Sequence, residues 1–225
     1  MPVTDDAMTR IRDMIVSGQL GPGERLPPEQ ELSDMLGISR SSLREAVKAL
    51  DVIGVLRVRR GDGTYVTDLE PENLMEALAF VVEMHHDDSV LELFEVRRIL
   101  EPAASAMATG RITPEELATL REEAARAHEG MSVEELVAHD VEFHRHLIDS
   151  SGNSYLSSLL QALSSATVRA RIWRGLTQES AVERTLAEHA AIVDALESRD
   201  PELVKARVTA HVLGVEEWLR SSING

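Results

Sequence analysis

The sequence contains no cysteine among its 225 residues. This absence excludes disulfide bonds and every metal site built on thiolate ligands. No apolar run approaches the ~20 residues that a transmembrane helix needs, and residues 1–20 lack the apolar core of a secretory signal peptide. The sequence therefore predicts a cytoplasmic protein with no membrane partner.

Positive charge is also scarce, since 23 Lys and Arg stand against 39 Asp and Glu and the net charge is −16. The deficit is uneven: residues 1–68 hold nine basic and eleven acidic residues, whereas residues 69–225 hold 14 and 28. A diffusely acidic protein is repelled by DNA, so any DNA binding requires a local basic surface. The length allows one or two domains with a real apolar core.

One stretch supplies such a surface, because residues 39–60 carry six basic residues against two acidic ones. On a helix, its polar and basic side chains (Arg40, Ser41, Arg44, Lys48) lie on a different arc from its apolar ones (Leu43, Ala46, Val47, Leu50, Ile53). Residues 55–59 and 64–67 then alternate as strands around a turn at Arg60-Gly61-Asp62-Gly63. The pattern predicts a helix that enters the DNA major groove. The alternative is an ordinary solvated helix followed by a surface hairpin.

The residues before this stretch predict two more helices. Apolar spacing indicates an amphipathic helix over Thr4 to Ser17 and a second helix over Glu29 to Leu36. Gly37 is a natural left-handed cap for the second helix, and Ser39 is a plausible N-cap for the third. Helix, turn, helix and basic hairpin together predict a winged helix-turn-helix domain over residues 1–68.

Residues 69–225 predict a second, all-helical domain, because helix start signals recur and no segment shows strand alternation. These signals include capping boxes at Ser89, Thr113, Ser132 and Ser180, and caps at Asn153 and Asp200. The predicted helices lie near residues 71–86, 89–109, 114–129, 133–151, 154–175, 179–198 and 201–221. The predicted fold class is therefore mainly α: a winged helix-turn-helix with a β-hairpin wing, followed by a bundle of about seven helices.

Four side chains of the bundle form a candidate metal site. Asp140 and His144 are four residues apart and project from one helix face, while His189 and His211 lie on two later helices. One carboxylate and three imidazoles suit zinc, nickel, iron or manganese. The alternative is a set of hydrogen-bonded core histidines.

The segment LGPGERLPPEQELSDMLGISRSSLREAVKALDVIGVLRVRRGDGTYV resembles the DNA-binding domain of the GntR family of bacterial transcription regulators. That resemblance implies operator contacts from the start of the recognition helix and from the wing tip, which here are Ser39, Arg40, Ser41, Arg44, Arg60 and Gly61. Gln30 stands where many members have an arginine, so its contact to DNA is expected to be weaker or different.

The second domain is similar to the FCD effector domain of the FadR-like subfamily. The resemblance rests on residues 95–104, on Asp140-x-x-Phe143-His144, on Ser151-Gly152-Asn153 and on TLAEHAAIVDALESRDPELVKARVTAH. It implies that Asp140, His144, His189 and His211 are metal ligands and that Arg97 contacts the effector. An intrahelical salt bridge with Glu101 is the alternative for Arg97, whose neighbour Arg98 is expected to face away. Some members of a second polar and aromatic cluster, Arg169, Arg171, Trp173 and Arg174, could line the pocket.

Together these features predict a transcription regulator that acts as a homodimer on near-palindromic, double-stranded operator DNA. The resemblance to the GntR family implies that it is a repressor. Its expected effector is a small organic or sugar acid bound at a divalent metal ion, with zinc or nickel favoured over manganese or iron. One rival is a DNA-binding protein whose bundle only dimerises or binds a lipid-like ligand without metal. The other, a metal-dependent enzyme, is disfavoured because no motif places a general base or nucleophile.

Overall fold

A computed structural model describes residues 3–69, 88–128 and 130–224. The chain divides into two compact units, Met1–Ala77 and Leu78–Gly225. The domain boundary predicted after residue 68 stays a prediction, and the helix predicted at residues 71–86 lies outside the described residues. None of the helices in the described ranges is long and apolar enough to span a lipid bilayer.

Over residues 3–69, the first unit is built from three helices and a two-stranded antiparallel sheet. In chain order these are α1 (Val3–Val16), α2 (Glu29–Leu36), α3 (Arg40–Val52), β1 (Leu56–Arg59) and β2 (Gly63–Val66). The strands pair with Leu56 opposite Val66 and Arg59 opposite Gly63. One apolar core unites the helices with the sheet, and it includes Ile11, Leu26, Leu32, Leu43, Leu50, Leu56 and Val66. The predicted winged helix-turn-helix is confirmed.

Local chemistry fixes the turn between α2 and α3. Gly37 ends α2 in the left-handed conformation, with a φ of 63°. The Ser39 hydroxyl accepts a hydrogen bond from the Ser42 amide and caps α3. Both predicted caps are confirmed, and they fix where α2 ends and where α3 begins.

The second unit contains only helices among its described residues. They are α4 (Asp88–Thr109), α5 (Pro114–Arg126), α6 (Val133–Asp149), α7 (Ser154–Ala166), α8 (Val168–Thr177), α9 (Ala181–Glu197) and α10 (Pro201–Asn224). The capping boxes predicted at Thr113 and Ser132 are present, and Asn153 and Asp200 accept hydrogen bonds from the helix starts that they precede. The core is lined by buried apolar side chains that include Phe94, Leu120, Phe143, Leu147, Ile192, Val208 and Val212.

Two local predictions were wrong. The single helix expected over residues 154–175 is two helices, because Thr167 leaves the helical conformation with a φ of −97° and a ψ of 3°. Its hydroxyl accepts a hydrogen bond from Arg97 at 2.7 Å and donates to the Ser164 carbonyl at 3.0 Å. Ser180 precedes α9 with a φ of 58°, and its side chain makes no capping hydrogen bond. An N-cap residue typically has dihedral angles of the β region, which Ser180 does not adopt.

Candidate metal centre and nucleic-acid interface

The four predicted metal ligands lie together in the interior of the helical unit. Asp140 and His144 are one turn apart on α6, His189 is on α9 and His211 is on α10. All four are buried, and one donor atom from each lies within 4.8 Å of the others. The packing of these three helices thus brings one carboxylate and three imidazoles together.

The donor atoms converge on one oxygen of Asp140. The Nε2 atoms of His189, His211 and His144 lie 3.1, 3.6 and 3.7 Å from Asp140 Oδ1. The Nε2 atoms of His144 and His211 are 3.0 Å apart, and at most one of such a pair can donate a proton to the other. Nitrogen and oxygen donors in this arrangement suit a divalent transition metal. The residues present therefore fit a metal ion.

Two carboxylates lie behind imidazole rings of the cluster: Glu188 is hydrogen-bonded to His211, whereas Glu101 Oε2 and His144 Nδ1 have no hydrogen-bond partner among the described residues. His144 Nδ1 lies 3.3 Å from Glu101 Oε2, and His211 Nδ1 lies 2.8 Å from Glu188 Oε2. The buried Nδ1 of His189 has no hydrogen-bond partner among the described residues. That ring is instead stacked on Phe143, with 4.1 Å between ring centroids and 12° between planes. A carboxylate behind a histidine fixes its tautomer and directs the other nitrogen to a metal.

The protonation states of the cluster suit metal binding at two of its members. Burial by itself would raise the pKa of Asp140, but the charge of Arg171 and the hydrogen bonds from His189 and His211 hold it well below its usual range. Burial lowers the pKa of His189 to about 3. For His211, hydrogen bonds to Asp140 and Glu188 outweigh burial and raise the pKa to about 9. An ionised carboxylate and a neutral imidazole are the binding forms, whereas His211 must release a proton.

A cavity of about 30 Å³ adjoins the cluster. Asp140, His211, Arg171 and Arg174 are among the residues that line it. Arg171 donates a hydrogen bond to Asp140 Oδ2 and another to Ser164 Oγ at 3.1 Å. The buried Nη2 of Arg174 has no hydrogen-bond partner in the described part of the chain. Buried guanidinium donors beside a metal-type cluster suit a carboxylate ligand.

Arg97 is placed differently from these two arginines. It is 2% exposed, and it donates from Nε to Glu101 Oε1 at 2.5 Å and from Nη1 to Thr167 at 2.7 Å. The ion pair considered as its alternative is therefore present, and Arg97 is not one of the residues that line the cavity. Its direct contact with an effector stays a prediction. Arg98 faces away, as predicted, and bonds to Glu216 at 2.8 Å.

The remaining members of the predicted polar cluster lie outside the cavity lining. Arg169 is exposed. Trp173 packs edge-on against Trp218, with 4.9 Å between ring centroids. Of the four residues in that cluster, only Arg171 and Arg174 line the cavity.

The predicted DNA-contacting residues of the first unit are all exposed: Gln30, Ser39, Arg40, Ser41, Arg44, Arg60 and Gly61. Arg40 and Arg44 lie one turn apart on α3, and both bond to the Glu29 carboxylate at 2.8 Å. The Gln30 amide donates to Asp34 within its own helix. Gly61 lies in the wing turn with a φ of 77°, which favours glycine. This surface offers basic side chains from both the helix and the wing.

Sequence comparison assigns both units. Residues 4–66 match the bacterial regulatory proteins of the gntR family, and residues 92–214 match the FCD domain. The chain belongs to the GntR family. Within that family, an FCD domain after the winged helix fits the FadR-like subfamily, so the predicted resemblance is confirmed.

Two curated relatives and one solved structure illustrate this GntR-family membership. The HTH-type transcriptional regulator LutR of Bacillus subtilis is 30% identical, over 92% of this chain and 96% of the relative. The galactonate operon transcriptional repressor of Escherichia coli is also 30% identical, over 88% of each chain. A Streptococcus agalactiae GntR structure has a TM-score of 0.66 at 26% identity, covering 95% of this chain and 99% of its own. These proteins are transcription regulators rather than enzymes, and this chain is a DNA-binding transcription regulator.

Proposed function

We propose that this regulator is a homodimeric repressor that senses a small organic or sugar acid at a divalent metal ion held by Asp140, His144, His189 and His211. The observation that carries the proposal is the convergence of four buried donor atoms, within 4.8 Å of one another, beside a cavity lined by two buried arginines. The name of the E. coli galactonate operon repressor, whose operon is named for a sugar acid, also supports it.

In the proposed site, the bound cation and the protein side chains have different roles in binding the acidic effector. Zinc or nickel suits the donor set first, and manganese or iron are alternatives; when bound, the cation supplies positive charge and open positions for a ligand's oxygens. Glu188 holds the His211 imidazole in orientation through a hydrogen bond, and the Glu101 carboxylate faces the His144 imidazole at 3.3 Å. Arg171 and Arg174 supply donors for a carboxylate.

Because the cavity is small, effector binding is coupled to a change in the conformation of the helical unit. A volume of about 30 Å³ has room for roughly one or two water molecules, not for a sugar acid. An effector must therefore displace side chains of the lining, and the Nη2 of Arg174, unpaired among the described residues, is a donor available to it. A ligand that binds one conformation better than another shifts the population between them, and so changes operator affinity.

The first unit provides operator recognition in the proposed mechanism. Arg40 and Arg44, with Ser39 and Ser41 beside them, enter the major groove from the start of α3. Arg60 and Gly61 contact DNA from the wing, while Gln30 makes at most a weak contact. Two copies bound about one helical turn apart require a near-palindromic operator.

A thermal-shift screen tests the sensing step. Protein loaded with zinc or nickel is heated with galactonate, gluconate and lactate, and the best stabilising acid is added to an operator-binding titration. We expect stabilisation of the wild type but not of the His189→Ala variant, together with weaker operator binding. Stabilisation of both proteins by the same acid, without bound metal, would instead support the metal-free bundle.

The DNA-binding assignment has its own test in the Arg44→Ala variant. Loss of a guanidinium from the exposed face of α3 is expected to weaken operator binding at least tenfold, since a good arginine contact in the major groove contributes about 1–3 kcal/mol. Arg207→Ala removes the same charge from an exposed position of the helical unit and serves as the control. Equal affinities of the two variants in a fluorescence anisotropy titration would contradict the assignment.

A further inference from the structure

A single carboxylate bridges the two basic side chains of the recognition helix. Glu29 Oε1 accepts a hydrogen bond from Arg40 Nε, and Glu29 Oε2 accepts one from Arg44 Nε, each at 2.8 Å. Glu29 belongs to the first turn of α2, so these bonds also tie α2 to α3. The hydrogen bonds from Arg44 and Arg40 lower the pKa of Glu29, which is therefore ionised at neutral pH.

The hydrogen bonds to Glu29 leave the terminal Nη atoms of Arg40 and Arg44 available to contact DNA. Glu29 engages only the Nε atoms, and in the described part of the chain the Nη atoms of Arg40 and Arg44 have no hydrogen-bond partner. The two side chains remain 55% and 60% exposed. The terminal fork of an arginine is the part that contacts a guanine edge or a phosphate bidentately. Glu29 thus orders two long side chains and leaves their recognition groups available.

We propose that Glu29 is a positioning residue that sets the DNA specificity of this regulator without touching DNA. The inference rests on the proposed roles of Arg40 and Arg44 in operator recognition. Ordering both forks before binding removes part of the conformational entropy that each arginine otherwise loses on the operator. The negative charge of Glu29 at the same time weakens the attraction of this surface to phosphates of any sequence. Both effects widen the gap between operator and non-specific affinity.

The Glu29→Gln variant tests the inference, with Glu31→Gln as the matched control. Both glutamates lie in the first turn of α2, so each change removes one negative charge near the same helix N-terminus. Glu31 is exposed and has no bond to either arginine. A glutamine at position 29 replaces one of the two acceptor oxygens with an amide NH2 group, so the arrangement in which each oxygen binds one Nε group is lost.

Affinity is measured by anisotropy over a range of salt concentrations. The probes are a 30-base-pair duplex selected by the wild-type protein from a randomised library and a base-scrambled duplex of the same length. We expect Glu29→Gln to bind the scrambled duplex more tightly and to lose about tenfold in the ratio of selected to scrambled affinity. Glu31→Gln is expected to keep the wild-type ratio.

A second variant separates orientation from charge. Glu29→Asp keeps the charge but shortens the side chain by one methylene, so it cannot reach both arginines, and we expect it to lower the affinity ratio as well. Circular dichroism checks that each variant is folded.

Two results would overturn the inference. One is an equal ratio in Glu29→Gln and Glu31→Gln, and the other is a ratio above that of the wild type, which would make Glu29 a latch that blocks the arginines. If Arg44→Ala also bound the selected duplex normally, the proposed DNA-contacting face itself would be wrong. Failure of the Glu29 inference alone leaves the Arg44→Ala effect intact.

Discussion

Replacing His189 with alanine is expected to lower the affinity of the protein for zinc or nickel at least ~100-fold. Loss of a residue that only supports a ligand costs about 10–100-fold, so loss of a ligand itself costs no less. The remaining donors also lose the ring that lies 3.1 Å from Asp140 Oδ1. Competition with a chromophoric chelator at neutral pH measures the affinity, and elemental analysis measures the metal bound per chain.

His146→Ala is the control for the metal experiment. His146 lies on α6 like His144, but its Nδ1 bonds to Glu123, and its side chain is 33% exposed outside the cluster. We expect the variant to retain the wild-type metal affinity. Wild-type metal content in His189→Ala would show that the ion, if bound, is held elsewhere. Loss of metal from both variants would indicate a general effect on the fold.

The sequence was sufficient for those parts of the fold whose causes are local. Gly37 and Ser39 fix the ends of α2 and α3 through their own backbone and side-chain preferences. Thr113 and Ser132 do the same for α5 and α6. Asp140 and His144 are four residues apart, so helix geometry alone places them on the same helix face. These predictions needed no knowledge of distant residues.

Features that depend on distant partners could not be predicted in this way. The break at Thr167 has no glycine or proline to mark it, and its hydroxyl bonds to Arg97, 70 residues earlier in the chain. Glu101 and Glu188 support two histidines, yet nothing local distinguishes them among 39 acidic residues. For the same reason, the sequence did not decide whether Arg97 contacts the effector or pairs with Glu101. Its spacing to Glu101 allowed an ion pair, but only the packed helices decide which way its guanidinium points.

The buried ion pair of Arg97 with Glu101 predicts a large effect on stability. The two side chains are 2% and 0% exposed, so Arg97→Met leaves a carboxylate without its counter-charge in the interior. We expect the free energy of unfolding of the metal-free protein to fall by about 3–5 kcal/mol. Urea unfolding followed by tryptophan fluorescence measures it. Both tryptophans, Trp173 and Trp218, belong to the helical unit and pack against each other, so their signal reports on that unit.

Two further variants show whether the ion pair causes the loss. Adding Glu101→Leu to Arg97→Met removes the stranded charge, so the double variant is expected to recover most of the stability. Arg98→Met is the neighbouring control, because its partner Glu216 keeps a bond from Arg220 at 2.8 Å, and its cost is expected to be about 1 kcal/mol or less. If Arg97→Met unfolds like the wild type but no longer responds to the effector, Arg97 contacts the ligand directly. A large loss of stability that the double variant restores makes Arg97 the counter-charge of Glu101, and through Glu101 a support for His144.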